Sequence, residues 1–335
     1  LDVRSKLNQA GLVRPGRGLD GSDVAIAIVD TGINIGHLTA KLGAVPRFDA
    51  ANSWRPSGVA TVPGRFPVDH GTMCAFDALI MAPNATLLDY ALLSTTMPGG
   101  NVTGSTIGSA LQAFAHLLAN YAVAFAPGGT HAKRGLVVSN SWGIYHPSWD
   151  FPAGHRGRYC DNPNHPFASI VSALTRAGID VVFAAGNCGA QCPDGRCKSR
   201  VSGTIMGANA YADVLTVAAC LVTNDDRLGY SSQGPSIAGM PMQKPDITAF
   251  SHFVGSDAYG IGVPDTGTST ACPVAAGCVA ALRTRLSPTT VPPVNLIAQL
   301  HANARVPTAL GAGWNGDYGH GIIDVDATAA SLGIP

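Results

Sequence analysis

Charged side chains are scarce in this sequence, and neither sign of charge predominates. Asp, Glu, Lys and Arg together make up 13% of the 335 residues, and the formal net charge is zero. An average domain has about 25% charged residues. The sequence therefore lacks the basic footprint of a nucleic-acid-binding protein and the polybasic patch that binds a membrane surface. We expect no nucleic-acid partner and no membrane association.

Long hydrophobic runs and internal repeats are also absent. The longest apolar stretch, at residues 271–282, is interrupted by Pro273 and Gly277, and it is shorter than the roughly 18 apolar residues of a membrane span. No period runs through the 40 glycines and 23 prolines, which indicates many tight turns and not low complexity. The sequence starts at Leu1 without an export leader, so we expect a mature form that lacks its signal and pro-segment.

The remaining composition is that of a folded globular protein. Hydrophobic residues make up 46% of the chain, which excludes general disorder. A chain of this length buries roughly three quarters of its unfolded surface, so its core needs no metal or disulfide. No linker divides the sequence. We therefore expect residues 1–335 to form a single domain, and we expect this domain to be monomeric.

Cysteine is the one compositional signal for a cellular compartment. The eight cysteines are Cys74, Cys160, Cys188, Cys192, Cys197, Cys220, Cys272 and Cys278. Their even number and the glycosylation sequons at Asn84 and Asn101 favour a secreted, extracellular protein with disulfides. Buried thiols and chance sequons are the alternative interpretation. Because Cys188, Cys192 and Cys197 cluster in the sequence, we expect at least one bridge to stiffen that loop.

Short, unbroken apolar runs alternate with segments of helical periodicity. The apolar runs, which are typical of strands buried on both faces, lie at residues 24–29, 86–92, 136–138, 181–185 and 214–219. The helical segments lie at residues 107–118, 167–174, 267–285 and 296–300, and Gly178 is placed to end the second one. The alternation predicts an α/β fold with a mainly parallel, twisted sheet and helices on both faces. Residues 144–166 lack periodicity and are predicted to be a long surface loop.

Polar residues lie at the predicted strand ends, where parallel sheets form their sites. An Asp-Thr-Gly sequence begins at Asp30, a His-Gly-Thr sequence begins at His70, and a Gly-Thr-Ser sequence ends at Ser269. A serine hydroxyl is a poor nucleophile unless a base takes its proton and a third group orients that base. These three residues supply those functions if the fold brings them together. Asn187 and the backbone N–H of Ser269, at a predicted helix start, are suited to stabilise an oxyanion.

Each of these motifs has a more common structural interpretation when it is taken alone. Asp-Thr-Gly is often a turn, His before Gly is often a surface residue, Gly-Thr-Ser often starts a helix, and Asn after Gly is often a turn residue. Their joint presence, in this order and on these elements, favours the catalytic interpretation.

Together the motifs resemble those of the subtilisin family of serine proteases, the subtilases. The resemblance rests on Asp-Thr-Gly-Ile at residues 30–33, His-Gly-Thr at 70–72, Ser-Trp-Gly at 141–143, Ala-Ala-Gly-Asn at 184–187 and Gly-Thr-Ser-x-Ala-x-Pro at 267–273. It spans roughly residues 20–330 and is most specific at the last motif. It implies a subtilisin-like three-layer fold and a serine-type endopeptidase that hydrolyses polypeptides.

The resemblance also implies a role for each site residue. Asp30 orients the base, His70 is the general base and then the acid, Ser269 is the nucleophile, and Asn187 donates to the oxyanion. The implied substrate-binding residues are Ser141, Trp142, Gly143, Ala184, Ala185 and Gly186, around the pocket for the side chain before the cut, and Gly100, on an edge strand that pairs with the peptide.

Further implications concern cofactors and partners. The chemistry needs no cofactor, structural calcium is expected without assigned ligands, and the chain's own pro-segment is expected to aid folding and to inhibit. One departure concerns the helix of His70, where Met73, Cys74 and Phe76 replace the usual His-Val-Ala-Gly pattern. We expect unusual packing behind the imidazole, with Cys74 as a disulfide partner or a free thiol.

Two other functions fit parts of the sequence. Asp265 begins a second Asp-Thr-Gly, and two such motifs also describe pepsin-like aspartic proteases, in which the carboxylates here would be Asp30 and Asp265. The alternation of strands and helices argues against that bilobal β fold. The second alternative is a protease-like module that binds peptides but has lost turnover.

Overall fold

The computed structural model describes residues 18–94, 102–307, 310–311 and 313–334. Its strands are β1 (Val24–Val29), β2 (Thr86–Tyr90), β3 (Gly135–Asn140), β4 (Asp180–Ala184), β5 (Leu215–Leu221), β6 (Ile247–Ser251), β7 (Phe253–Val254) and β8 (Pro264–Asp265). Its α-helices are α1 (Ile35–Leu42), α2 (His70–Met81), α3 (Val102–Asn120), α4 (Pro166–Arg176), α5 (Thr268–Arg283), α6 (Pro293–Asn303) and α7 (Val325–Ser331). The predicted strands and helices are all found, whereas β6, β7, β8, α1 and α7 were not predicted.

Six strands form one parallel sheet in the order β2-β1-β3-β4-β5-β6, and β7 pairs with β8 as a separate antiparallel hairpin. This confirms the predicted α/β class. The strand order changes direction beside β1, because β2 lies on one side of it and β3 on the other. In parallel sheets a crevice opens at such a switch point, outside the carboxyl ends of the strands. The residues that follow β1 and β3 therefore lie at this crevice.

The sheet separates two apolar cores, as the unbroken apolar runs predict. Along β1, Val24, Ile26 and Ile28 face the core that contains α2 and α5, whereas alternate residues of the strand face the core that contains α3 and α4. Each fully buried Val or Ile side chain stabilises the fold by about 1.5–3 kcal/mol. The result is three layers, with helices on both faces of the sheet.

Helix α5 runs through the centre of the first core, and every residue of it is buried. Near its C-terminal end, the guanidinium of Arg283 donates to both oxygens of Asp180 at the start of β4, at 2.6 and 2.7 Å. This bidentate pairing satisfies a charge that is fully buried. It ties the far end of the helix to the sheet. At the end of α4, Gly178 has a φ of +98° and ends the helix as predicted.

The segment at residues 144–166 differs from the surface loop that the sequence predicts. Before α4 begins, its one regular element is a short 3₁₀ turn, Pro147–Trp149. However, Tyr159 and Cys160 are fully buried in the second core. The hydroxyl oxygen of Tyr159 accepts a hydrogen bond from the N–H of Ala208 (2.8 Å). The missing periodicity correctly predicts a loop. The burial of Tyr159 and Cys160 depends on contacts with a distant segment, so no local pattern predicts it.

No helix among the described residues is both long enough and apolar enough to cross a membrane.

Candidate active site

Asp30 and His70 form a hydrogen-bonded pair at the carboxyl end of β1. Asp30 directly follows the strand and is 1% exposed. Its Oδ1 accepts from the N–H of Thr31 at 2.7 Å and from Nδ1 of His70 at 2.8 Å. His70 is the first residue of α2. Since Nδ1 donates to the carboxylate, Nε2 is the nitrogen left to accept a proton.

The two motifs that carry this pair are joined by their own side chains and glycines. The hydroxyl of Thr31 accepts from the N–H of Gly71 at 2.9 Å, and the hydroxyl of Thr72 accepts from the N–H of Asn34 at 3.0 Å. A Cβ at Gly71 would lie 2.5 Å from the carbonyl oxygen of Gly32. The Asp-Thr-Gly and His-Gly-Thr segments are thus hydrogen-bonded and closely packed against each other. These contacts fix the position of the carboxylate relative to the imidazole.

Ser269 lies in the first turn of α5, at the same crevice. Its carbonyl oxygen has no helical partner because Pro273, four residues later, lacks an N–H. The hydroxyl of Ser141, directly after β3, donates to this oxygen at 2.9 Å, and the Cys74 thiol donates at 3.5 Å. The Ser269 hydroxyl itself lies 3.5 Å from the carbonyl oxygen of Ser141. Ser269 is thus anchored to the end of β3 and to α2.

The side-chain amide of Asn187 has a fixed orientation. Its Oδ1 accepts from the N–H of Thr268 at 2.9 Å and from the hydroxyl of Thr268 at 3.0 Å, so Nδ2 is the atom of this amide that donates. Gly267 has a φ of +85°, and a Cβ there would lie 3.1 Å from Nδ2 of Asn187 and 3.4 Å from the backbone nitrogen of Ser269. The glycine leaves open a space that faces two N–H donors, and an oxyanion fits such a space.

The negative charges around His70 and its burial have opposite effects on its pKa. Desolvation by itself lowers the pKa of the imidazole, but the charge of Asp30 and its hydrogen bond, together with the charge of Asp69, raise it above the usual 6.5. Arg196 acts in the opposite direction. The arrangement can therefore accept a proton from the serine hydroxyl and hold the resulting imidazolium beside a carboxylate.

Cys74 lies directly behind the pair, where the sequence predicts unusual packing. Its Sγ is 3.8 Å from Nδ1 of His70 and 3.8 Å from Oδ2 of Asp30. It is a buried cysteine outside any disulfide. Burial first, and the charge of Asp30 second, raise the pKa of this thiol well above its usual range. The sulfur is therefore a neutral packing group beneath the imidazole and not a thiolate.

Only one group of metal-ligating side chains stands out in the described part of the chain. Asp30, His70 and Cys74 place one ligand atom each within 4.8 Å of one another. These are the residues of the acid–base pair and its neighbour. Calcium prefers oxygen ligands alone, so this group does not fit the structural calcium that the resemblance implies.

A cleft of about 550 Å³ joins these residues, and a much smaller pocket of about 30 Å³ opens beside it. His70 lines the cleft, and Asn187 and Ser269 line both cavities. The structure brings the predicted wall residues to the small pocket, which is lined by Ser141, Trp142, Gly143, Ala184, Ala185 and Gly186. The indole of Trp142 also extends into the second core, where it packs against Phe183.

The loop after Asn187 is closed by the disulfide Cys188–Cys197, which confirms the prediction of a bridge there. The N–H of Asp194 donates to the carbonyl oxygen of Asn187 at 2.9 Å. Arg196 pairs with Asp194 and lies over the ring of Tyr145, 3.9 Å from its centroid. The bridge therefore holds a charged loop at the rim of the cleft, beside the amide that faces the oxyanion space.

Two predicted features, Gly100 and the sequon at Asn101, lie outside the described residues. The described chain resumes at Val102 as the start of α3. The amide of Asn84 in the other sequon donates to Asp20 at 2.7 Å.

The second Asp-Thr-Gly does not complete an aspartic protease site. Asp265 accepts from the N–H and the hydroxyl of Ser256, both at 2.6 Å, and its other neighbour is the buried Asp77. Asp30 pairs with His70 instead. Nothing in the geometry supports the pepsin-like alternative.

Several positioning residues were missed by the sequence analysis. Thr31 and Thr268 are the middle residues of the Asp-Thr-Gly and Gly-Thr-Ser motifs, in which the sequence predicts a role only for Asp30 and Ser269. The hydroxyl of Thr31 bonds to Gly71, and the hydroxyl of Thr268 bonds to Asn187. Asn209 lines the small pocket and lies in a short 3₁₀ turn, Gly207–Ala210, whose other residues are glycine and alanine, so no motif in the sequence marks it. Threonine within a recurring Asp-Thr-Gly or Gly-Thr-Ser sequence was the only available clue.

Known proteins resemble this chain in sequence and in fold. Subtilisin DY of Bacillus licheniformis is 26% identical over 317 residues, which is 93% of this chain and 93% of that protein. Among solved structures, MycP1 from Mycobacterium smegmatis superposes with a TM-score of 0.62 at 21% identity, over 96% of this chain and 82% of that one. A lanthipeptide protease superposes with a TM-score of 0.59 at 19% identity, over 94% of this chain and 89% of that one.

A protein-family model matches most of the chain. The model of the subtilase family covers residues 21–321, a range that contains every site residue described above. The chain therefore belongs to the subtilase family and is a serine-type peptidase.

Proposed function

We propose that this protein is a secreted endopeptidase that cleaves polypeptides through an acyl-enzyme on Ser269. The observation that carries the proposal is the hydrogen bond from Nδ1 of His70 to Asp30, in the cleft that Ser269 and Asn187 share. The carboxylate fixes the tautomer in which Nε2 is the basic nitrogen. The mechanism follows from these positions.

In the first half-reaction, the Ser269 hydroxyl turns from the Ser141 carbonyl towards His70 and attacks the peptide carbonyl carbon. Nε2 of His70 takes the hydroxyl proton while the new C–O bond forms. The developing oxyanion accepts from Nδ2 of Asn187 and from the N–H of Ser269. His70 then protonates the leaving amine, the C–N bond breaks, and an ester remains on Ser269.

In the second half-reaction, water attacks the ester carbon, and His70 takes one of its protons. The same two N–H groups hold the second oxyanion. When the tetrahedral species collapses, His70 returns the proton to the Ser269 oxygen and the carboxylic acid product leaves. Asp30 stays ionised throughout and stabilises the imidazolium.

The proposal includes substrate contacts and partners. Residues 141–143 and 184–186 line the pocket for the side chain before the cut, and Gly100 is the proposed contact for the backbone of the peptide. A monomer, a pro-segment that aids folding and inhibits, and a structural calcium site with ligands still to be assigned complete it. One solved relative is described with its N-terminal propeptide removed and another in complex with a chaperone. The disulfide beside Asn187 supports secretion.

The test is active-site labelling. A fluorophosphonate is expected to label Ser269 and to stop peptide hydrolysis, the Ser269→Ala protein is expected to show neither labelling nor hydrolysis, and pepstatin is expected to have no effect. Full hydrolysis by Ser269→Ala would overturn the proposal. Peptide binding without labelling and without hydrolysis would instead identify a binding module.

A further inference from the structure

The pocket beside the nucleophile is small. Its volume is about 30 Å³, whereas that of the adjoining cleft is about 550 Å³. Leucine carries four heavy atoms beyond Cα and phenylalanine carries seven, whereas alanine carries one and serine carries two. The small side chains therefore suit this space better than the large ones do.

The pocket is narrow because its two walls are tied together at depth by Asn209. The Nδ2 of this residue donates to the carbonyl oxygen of Trp142 at 3.0 Å and to that of Ala184 at 2.8 Å. These carbonyls belong to the segments after β3 and within β4, which form the opposite walls. Asn209 is 5% exposed, so the tie is shielded from water and holds the spacing of the walls.

The lining at depth is also partly polar. Oδ1 of Asn209 and the hydroxyl of Thr204 are buried and have no hydrogen-bond partner among the described residues. Both residues line the pocket. A large apolar side chain would seal these oxygens from water without offering a bond, whereas a small side chain leaves room for water and a serine hydroxyl can donate.

We propose that the enzyme cleaves after small residues, alanine and serine, and that Asn209 and Met206 set this limit. The inference rests on the proposed function, because it assigns the pocket to the side chain before the cut. Met206 is 1% exposed and lines the pocket. Its near neighbours in the sequence, Thr204 and Asn209, line the pocket as well. Both residues are specificity-determining, and neither touches the reacting atoms.

The first test is kcat/KM on peptides that differ only at the residue before the cut. A single misfitting methylene changes the ratio of kcat/KM between two substrates by about 10–200-fold. We therefore expect kcat/KM for alanine and serine peptides to exceed that for leucine and phenylalanine peptides by at least about tenfold. Leucine or phenylalanine peptides that are cleaved as well as the alanine peptide would overturn the proposal.

The second test enlarges the pocket. Met206→Ala removes three heavy atoms from the lining, and we expect the leucine-to-alanine ratio of kcat/KM to rise about tenfold or more. Met240→Ala is the matched control, because Met240 is buried in the same core cluster but does not line the pocket. A ratio that moves equally in both variants, or in neither, would overturn the assignment. If Met206→Ala does not fold, the peptide series on the unaltered protein decides.

Labelling separates this proposal from the one it rests on. A fluorophosphonate with small alkyl groups reacts with Ser269 without filling the pocket. Labelling together with a preference for leucine or phenylalanine would overturn the pocket proposal and leave the proposed function intact. Loss of both labelling and hydrolysis would overturn the proposed function.

Discussion

The hydroxyl oxygen of Thr31 accepts a hydrogen bond of 2.9 Å from the backbone N–H of Gly71. Thr31 follows the carboxylate of the acid–base pair and Gly71 follows its imidazole, so this bond joins the end of β1 to the start of α2. The N-terminal N–H groups of a helix have no partner within the helix. Thr31 thus satisfies one of these groups and positions His70.

Replacement of Thr31 by valine keeps the shape but removes the acceptor. A buried donor without a partner costs about 1–3 kcal/mol, so we expect unfolding in urea to show a loss of that size and kcat to fall as the imidazole shifts. Thr31→Ser keeps the hydroxyl and is the control. Equal stability and equal kcat for the valine and serine variants would contradict this role.

Asn187→Ala should lower kcat with little change in KM, because the oxyanion forms only in the transition state. Loss of one such donor lowers kcat about 10²–10³-fold, a magnitude established on a subtilisin. Asn187→Asp is an informative companion, since an aspartate still accepts from Thr268 but cannot donate. Both variants are expected to lose kcat while their thermal stabilities differ. An aspartate variant with full activity would contradict the donor role.

The pH dependence of kcat/KM should report the His70 base. The imidazole must be neutral to accept the serine proton, and its pKa is raised above 6.5, so the rate should rise with pH to a midpoint above that value. Asp69 raises this pKa and Arg196 lowers it. We expect Asp69→Asn to move the midpoint down and Arg196→Gln to move it up. Lys198→Gln, on the same loop as Arg196, is the control that should leave it unchanged.

The buried carboxyl groups of Asp77 and Asp265 should make stability depend on pH. Burial first, and then the charge of Asp265 and a hydrogen bond to it, raise the pKa of Asp77 well above 3.8. Folding therefore favours its protonated form, and the associated stability is present below pH 3.8 and is lost as the pH rises towards the raised pKa. Asp77→Asn keeps a donor for Asp265 and cannot ionise. We expect it to increase the melting temperature more at pH 8 than at pH 4.5; an equal increase at both values would contradict this.

Thiol labelling tests the cysteine assignments. Cys192 is exposed, whereas Cys74, Cys160, Cys272 and Cys278 are buried. A maleimide should therefore modify Cys192 rapidly in the native protein, and Cys192→Ser should abolish that rapid phase. After denaturation without reductant, Cys188 and Cys197 should remain linked in one proteolytic fragment. Rapid modification of Cys74 in the native protein would contradict its burial behind His70.

Local patterns were sufficient for the fold class and for the identity of the chemical groups. A strand buried on both faces has an unbroken apolar run, and β1 shows it clearly. In contrast, β7 and β8 contain two residues each, which is too short for any periodicity. The burial of Tyr159 could not be predicted either, because it depends on contacts with residues 207–208 and not on its own neighbours in the sequence.

The sequence by itself determined which acid, imidazole, hydroxyl and amide follow the ends of the strands, because apolar periodicity and short motifs are properties of neighbouring residues. Only the tertiary structure decided how these groups are oriented and how much room lies beside them. The Asn187 amide is turned by Thr268, 81 residues away, and the pocket is narrowed by Asn209, which joins two other segments. Contacts between residues so far apart in the chain form only when the sheet and its helices pack together.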